Sequence, residues 1–170
     1  MKLKVSSPLV SVDWLVFNLQ NEKLVVLDAT IQKVGVKENE VVKQQIPKAL
    51  FFDLKNVFLD KKGIYPNTIP SENRFQEEVR KLGVNQDTCI VVYDDLGVYS
   101  SPRVWWLFRL FGFQNVAVLN GGFPEWKETG YIVEKQTSSN LEKGDFTAKF
   151  NEEIYKFDYH CNPETNSFYL

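Results

Sequence analysis

Three short apolar runs that each stop at an aspartate constrain the fold of this sequence more than any other feature. They are Leu24–Asp28, Ile46–Asp53 and Cys89–Asp94. The first and the third are apolar throughout instead of alternating, which is typical of strands buried on both faces of a parallel sheet. Val116–Leu119 is a fourth run of the same kind. The sequence therefore predicts a sheet of short, buried strands.

Helical patterns separate these strands. Ser11–Leu19 begins with a capping serine, and Ser71–Leu82 has apolar residues at helical spacing and stops before a glycine. Pro102–Phe111 follows the strongest strand, with Ser101 as its predicted N-cap, and Phe123–Glu128 is a shorter helix. Strands alternating with helices predict an α/β domain around a central parallel sheet.

Length and composition fit one folded domain with a tail. The chain has 170 residues, of which 44% are hydrophobic and 25% are charged, so it can bury a real core. The periodic signals fade after Tyr131, and we interpret residues 134–170 as a linker or extended C-terminal arm. The net charge of -2 supplies no broad cationic field, so we expect neither nucleic acid nor a membrane as a partner.

The scarce metal-binding residue types exclude one class of site. The chain has one histidine, His160, and two distant cysteines, Cys89 and Cys161, which are too few for a structural zinc site. We expect neither a metal nor another cofactor. Cys89 lies inside an apolar run, where a buried and inert thiol is the expected state.

Unpaired cysteines and an N-terminus without an apolar segment predict a cytoplasmic protein.

The loop after the strongest strand is the first place to look for a site, because ligands of open α/β sheets bind beyond the carboxyl ends of the strands. This loop leads directly into a helix N-terminus, which favours an anion. Two carboxylates in the loop oppose an anion. Either the loop is a modified anion site, or Asp94 and Asp95 bind loop amides and pair with Arg103. The loop residues are Asp94, Asp95, Leu96, Gly97, Val98, Tyr99 and Ser100.

Residues 93–113 closely resemble the N-terminal half of tandem-domain thiosulfate and 3-mercaptopyruvate sulfurtransferases, which belong to the rhodanese family. The run Pro102-Arg103-Val104-Trp105-Trp106 is the most specific part of the resemblance. The segments Leu119–Phe123, Ile46–Asp53 and Val26–Ala29 match in the same order. The resemblance covers residues 7–133 and implies a rhodanese-like fold, with a central parallel five-stranded sheet flanked by helices.

The resemblance also implies a reaction. In this family a cysteine thiolate at the first position of the loop takes a sulfane sulfur from thiosulfate or 3-mercaptopyruvate and passes it to cyanide or a thiol. The C-terminal half of tandem members carries that cysteine, whereas the N-terminal half has an aspartate, and Asp94 stands at that place. The resemblance therefore implies a chain without a catalytic residue, inactive alone, whose partner is the catalytic C-terminal rhodanese domain.

An alternative is a stand-alone binding or regulatory rhodanese-like module whose acidic loop contacts a partner. If the chain is one half of a tandem enzyme, the domain that has lost its partner is expected to expose an apolar patch and to self-associate. The resemblance makes Tyr65, Gln45 and Arg103 candidates for a cleft between two domains. Gln45 replaces a histidine that many members have, and Lys48 replaces a glycine.

Overall fold

In the computed structural model of this chain the described residues are 2–31, 43–61, 68–136 and 141–160, the last four without their side chains. The elements within these residues are, in chain order, β1 (Leu9–Val10), α1 (Val12–Asn18), β2 (Leu24–Asp28), β3 (Gln44–Gln45), β4 (Leu50–Phe51), α2 (Glu72–Lys81), β5 (Cys89–Tyr93), α3 (Ser101–Leu110), β6 (Val116–Leu119), α4 (Gly122–Glu128), β7 (Glu134–Lys135) and α5 (Glu152–His160).

Five strands form the central sheet in the order β1-β6-β5-β2-β4, and every neighbouring pair is parallel. All five residues of β5 and all four of β6 are buried, as their continuous apolar sequences predict. The predicted parallel five-stranded sheet is therefore confirmed. The short strands β3 and β7 form a separate antiparallel pair.

Helices cover both faces of this sheet. Ile90 and Val92 belong to one apolar cluster, whereas Val91 and Tyr93 belong to the other, because successive residues of a strand point to opposite faces. The first cluster includes residues of α2 and α3, and the second includes residues of α1 and α4. The domain thus has the three layers of an α/β fold.

Aromatic rings fill the larger cluster. The Phe75 ring stacks on Phe111 with 4.3 Å between ring centroids. Its contacts with Phe58, Phe108 and Phe146 are edge-on, at centroid distances of 5.8, 5.3 and 5.8 Å. Such offset and edge-on pairs are the favoured geometries of aromatic side chains.

The C-terminal arm is packed onto the domain. Residues 141–151 run without regular structure past α2 and α3, and the Phe146 side chain is fully buried in the larger cluster. The Phe146 N–H donates to the Val84 carbonyl (3.1 Å), and the Phe146 carbonyl accepts from Nε of Arg80 (2.7 Å). The packed unit therefore extends beyond residue 133.

The predicted helix cap Ser11 is confirmed, and Ser71 caps α2 in the same way. The hydroxyls of Ser11 and Ser71 each accept a hydrogen bond from the backbone N–H three residues later. The prediction of Ser101 as an N-cap is wrong, because α3 begins at Ser101 and its cap residue is Ser100. The Ser101 hydroxyl donates instead to the Asp94 carboxylate, which is a stronger acceptor than a neutral group.

Lys48 has a φ of 64°, a left-handed backbone conformation that residues other than glycine adopt at a cost in free energy. We expect Lys48→Gly to raise the free energy of unfolding by about 0.5–1 kcal/mol, measured by urea denaturation. Lys48→Ala is the control: it keeps the strained backbone and loses the exposed contact of Nζ with Gln20. A glycine variant no more stable than the alanine variant would contradict this explanation.

Candidate functional site

The site candidates lie at the carboxyl edge of the sheet, where β2 and β5 end side by side in parallel. Asp28 pairs with Tyr93 in the sheet register, and the loop that follows Tyr93 runs into α3. This edge is where open α/β sheets bind ligands. Asp94, the first residue of the loop, is fully buried.

The Asp94 carboxylate is held by five hydrogen-bond donors. Its Oδ2 accepts from the N–H groups of Tyr99 (2.9 Å), Ser100 (3.0 Å) and Ser101 (2.9 Å), and from the Ser101 hydroxyl (2.6 Å). Its Oδ1 accepts from the Leu96 N–H (3.0 Å). The prediction that Asp94 binds loop amides is thereby confirmed, and the carboxylate fills the place that the loop amides offer to an anion.

The electrostatics of this cradle favour a negative charge. Burial raises the pKa of the Asp94 carboxyl, but the donors from Ser101, Tyr99 and Leu96 lower it, so that its pKa lies below the ordinary value. Asp94 is therefore ionised at neutral pH, and the loop already contains an anion.

Close backbone contacts hold the loop in place. A Cβ atom on Gly122 would lie 2.3 Å from the carbonyl oxygen of Gly97 and 2.6 Å from that of Asp94, so only glycine fits there. The Phe123 N–H donates to the Asp94 carbonyl at 2.9 Å. The start of α4 thus clamps the loop from one side.

Four other side chains of the loop point outward. Leu96, Val98 and Tyr99 are 53%, 48% and 68% exposed, and Asp95 is exposed too. The loop therefore exposes three apolar side chains and one carboxyl group, while the buried Asp94 carboxylate holds its backbone.

Arg103 lies in the first turn of α3, and its guanidinium is 5.0 Å from the ring centroid of Trp106. Arg109 lies over Trp105 in the same way, at 5.7 Å, and Nε1 of Trp105 donates to a carbonyl of β6. Cation–π contacts thus account for one partner of each arginine. The pairing of Arg103 with the loop carboxylates stays a prediction.

Gln45, one of the cleft candidates, is turned into the protein. It is 1% exposed, and its Nε2 donates to Oε1 of Glu134 at 2.8 Å, across the β3–β7 pair. Its Oε1 has no hydrogen-bond partner. Tyr65, another candidate, lies outside the described residues. The cleft roles of these two residues stay predictions.

The sequence analysis missed a buried polar pair, Asp28 and Tyr93, that lies beside Gln45. Asp28 is 6% exposed, and its carboxylate accepts hydrogen bonds from the Thr30 N–H (2.9 Å) and from the Tyr93 hydroxyl. The Tyr93 hydroxyl oxygen in turn accepts a hydrogen bond from the Ile46 N–H (3.3 Å). Burial raises the pKa of both Asp28 and Tyr93. The signal available in the sequence was that both residues end strands predicted to be parallel, which places them at the same edge.

A small open cavity of about 140 Å³ adjoins this edge, between the ends of β2 and β4. Thr30, Phe51 and Asp53 are among the residues that line it. The Asp53 carboxylate accepts from the N–H groups of Lys55 and Asn56, so it is engaged in its own turn. The cavity has room for a few non-hydrogen atoms.

Cys89 is buried and its surroundings raise the pKa of its thiol to about 11, so a reactive thiolate does not form there at neutral pH. The expected inert thiol is confirmed. Cys161 lies outside the described residues. Across the ranges that the structure describes, no three His, Cys, Asp or Glu residues are grouped to hold a metal ion.

In those same ranges no helix is both long and apolar enough to cross a membrane. The cytoplasmic location stays a prediction.

Comparisons with a family model, with curated relatives and with solved structures agree with one another. The sequence model of the family "Rhodanese-like domain" matches residues 11–129. The chain is 39% identical over 158 residues to thiosulfate/3-mercaptopyruvate sulfurtransferase 1, mitochondrial, of Arabidopsis thaliana, covering 91% of this chain and 41% of that protein. It is 40% identical over 156 residues to the thiosulfate sulfurtransferase of Bos taurus, covering 87% of this chain and 52% of that one.

Among solved structures, the crystal structure of SseA from Escherichia coli, described under the "Rhodanese" fold of 3-mercaptopyruvate sulfotransferases, superposes with a TM-score of 0.76. The two sequences are 29% identical, and the match covers 91% of this chain and 63% of that one. The chain spans about half the length of the curated relatives that it matches.

Proposed function

Because the chain belongs to the rhodanese family, we propose that it is the N-terminal half of a tandem thiosulfate or 3-mercaptopyruvate sulfurtransferase, and that this half does not itself carry sulfur. The observation that carries the proposal is the buried Asp94 carboxylate, which is bound by five donors. The family resemblance implies that active members have their cysteine thiolate at this position. The share of each curated relative that the chain spans supports the assignment to one half.

The chemistry of the loop explains the lack of activity. Sulfur transfer begins when a thiolate attacks the sulfane sulfur of thiosulfate and sulfite leaves, which produces an enzyme persulfide. A carboxylate forms no stable bond of this kind. The Asp94 carboxylate also occupies the amides that would hold the anionic persulfide, and its charge repels thiosulfate.

The partner that we propose is the catalytic second half of the intact protein. Leu96, Val98 and Tyr99 support this, because they are exposed apolar side chains on a loop that is held in place. A fixed loop loses little conformational entropy when a partner covers it. In the isolated chain we expect the same three side chains to promote self-association.

We expect the isolated chain to show no thiosulfate:cyanide sulfur transfer, measured as thiocyanate formation. Intact-mass spectrometry after incubation with thiosulfate should find no persulfide. Cys89 is buried and its thiol is not ionised at neutral pH, so it cannot replace the missing nucleophile. A persulfide on Cys89 or Cys161, with turnover that is lost when that cysteine is substituted, would contradict this prediction.

The variant Asp94→Cys tests whether the nucleophile is what the loop lacks. The donors that lower the pKa of the Asp94 carboxyl should lower that of a thiol at the same place, and we expect this variant to form a persulfide with thiosulfate. Asp94→Ser, which has no sulfur, is the matched control. A folded Asp94→Cys variant that forms no persulfide would show that the loop itself is unsuited to sulfur transfer.

A second candidate is a stand-alone binding or regulatory module. The exposed Asp95 beside three exposed apolar side chains favours it, because such a surface suits a protein partner. The two candidates differ in the gene beyond the codon for Leu170. A further Val/Ile-rich strand that ends in cysteine and is followed by a glycine-containing loop would support the tandem enzyme, whereas a stop codon would support the binding module.

A further inference from the structure

The turn Asn120-Gly121 joins strand β6 to helix α4, and it is the only place in the sequence where a glycine follows an asparagine. Asn120 is exposed, although Leu119 and Gly122 on either side of the turn are buried. Asparagine is a thermolabile residue, because the backbone nitrogen of the next residue can attack its side-chain amide. A glycine at the next position leaves that nitrogen accessible, since it has no Cβ atom.

The fold itself requires the glycine. Gly121 has a φ of 73°, in the left-handed region, and a Cβ atom there would lie 2.5 Å from Cβ of Glu125 in α4. Any other residue would be strained and would collide with the helix. The packing of this turn therefore fixes the residue that makes Asn120 reactive.

Both reacting groups are unengaged. Among the residues that the structure describes, none forms a hydrogen bond with the Asn120 side chain, and none accepts from the Gly121 N–H. Asn73 is exposed as well, but it lies inside α2 and the N–H that follows it, that of Arg74, donates to the Ser71 hydroxyl at 3.4 Å. Exposure alone thus does not distinguish Asn120 from Asn73, whereas the following glycine and its unbound N–H do.

Asn115 lies close to Asn120 in the sequence, but its side chain is held. Its Nδ2 donates to the carbonyls of Leu3 and Thr88, both at 2.9 Å, and its Oδ1 accepts from the Val5 N–H at 3.0 Å. An attack on this amide would first have to break all three hydrogen bonds.

We propose that Asn120-Gly121 is a site of spontaneous covalent modification, at which the folded chain converts Asn120 to aspartate and isoaspartate. The Gly121 nitrogen attacks Cγ of Asn120 and closes a succinimide ring, while the bond from Cγ to Nδ2 breaks and ammonia leaves with the proton of the Gly121 N–H. Water then opens the ring. Addition at Cγ gives aspartate, and addition at the backbone carbonyl carbon gives isoaspartate, so that the sum of the steps exchanges ammonia for water without an oxidant or reductant. The inference does not rest on sulfur transfer by the intact protein.

Isoaspartate at position 120 should displace the contact between α4 and the loop of residues 94–101. It adds a methylene group to the main chain just before Gly122, whose Cβ position would lie only 2.3 Å from the Gly97 carbonyl oxygen. The Phe123 N–H donates to the Asp94 carbonyl at 2.9 Å, so this end of the helix has no slack. Aspartate keeps the length of the main chain and holds its charge in water, and it should leave the contact intact.

The experiment incubates the full chain in mildly alkaline buffer and follows the tryptic peptide of residues 110–127 by mass spectrometry with fragmentation. Asn120 should be converted, and faster as the pH rises, because the attacking nitrogen must lose its proton. Asn115 in the same peptide and Asn73 elsewhere should keep their amides. Asn120→Gln is the matched variant: its longer side chain would have to close a larger ring, and it should show no conversion.

A synthetic peptide of residues 117–123 gives the rate at which the same turn reacts when nothing holds it. Conversion of Asn120 in the folded chain, ahead of Asn115 and Asn73, supports the proposal. It would be overturned if Asn120 kept its amide in the folded chain while the peptide was fully converted, or if the three asparagines reacted equally fast.

Amide hydrogen exchange tests the effect on the loop contact. In the isoaspartate fraction, the Phe123 N–H should lose its protection, whereas Asn120→Asp, which carries the charge on an unchanged main chain, should keep it. Equal protection in the two proteins would overturn the displacement of the contact.

Discussion

Replacing Phe146 with alanine is expected to lower the free energy of unfolding by about 3–5 kcal/mol, although this residue lies in the arm that follows the last helix of the three-layer domain. The ring is fully buried, with centroids 5.7, 5.8 and 6.1 Å from those of Phe113, Phe75 and Phe108. Its removal leaves a cavity among rings that cannot collapse into it. Urea denaturation followed by circular dichroism gives the change directly.

Phe17 provides the matched control, because it is 89% exposed. Phe17→Ala should change the free energy of unfolding by no more than about 0.5 kcal/mol. Were Phe146→Ala to cost no more than Phe17→Ala, the arm would have to be detached from the domain in solution.

The arm also shows where sequence reasoning ends. The strands β2, β5 and β6 were predictable because continuous apolar runs have one common explanation in an α/β chain. The strand β1 has two residues, too few to show a period. Phe146 lies among polar residues in the sequence. Its burial depends on rings 33 to 71 positions away, and a local sequence pattern does not predict contacts over such separations.

The candidate site likewise combines local contacts, which the sequence predicts, with contacts between distant residues, which it does not. The donors to Asp94 come from the next seven residues, so the local chemistry of a strand, a loop and a helix start was enough to predict them. Gln45 meets Glu134 across 89 positions, and only the folded chain brings them together. The cap prediction for Ser101 was wrong because α3 begins one residue earlier than predicted, so that Ser101 lies in its first turn, where its hydroxyl donates to the buried Asp94 carboxylate.

Asp94→Asn is expected to lower the free energy of unfolding at neutral pH by about 2–4 kcal/mol. An amide keeps the shape of the carboxyl group but not its charge, and it turns an NH₂ group toward at least one of the five buried donors. The measurement is urea denaturation of both proteins in the same buffer. A change below about 0.5 kcal/mol would contradict a charged, saturated carboxylate at this place.

The pH dependence of that difference follows from the lowered pKa of Asp94 in the folded state. A carboxyl group whose pKa is depressed by folding stabilises the protein above its unfolded pKa, about 3.9, and loses this contribution as the pH falls through the folded value. The gap between wild type and Asp94→Asn should be constant from about pH 5 to 8 and should narrow below about pH 4. The gap between wild type and Phe17→Ala should show no such trend, because that change leaves every ionisable group in place. A gap to Asp94→Asn that widened as the pH fell below 4 would mean that folding raises the pKa of Asp94, and that burial outweighs the five donors.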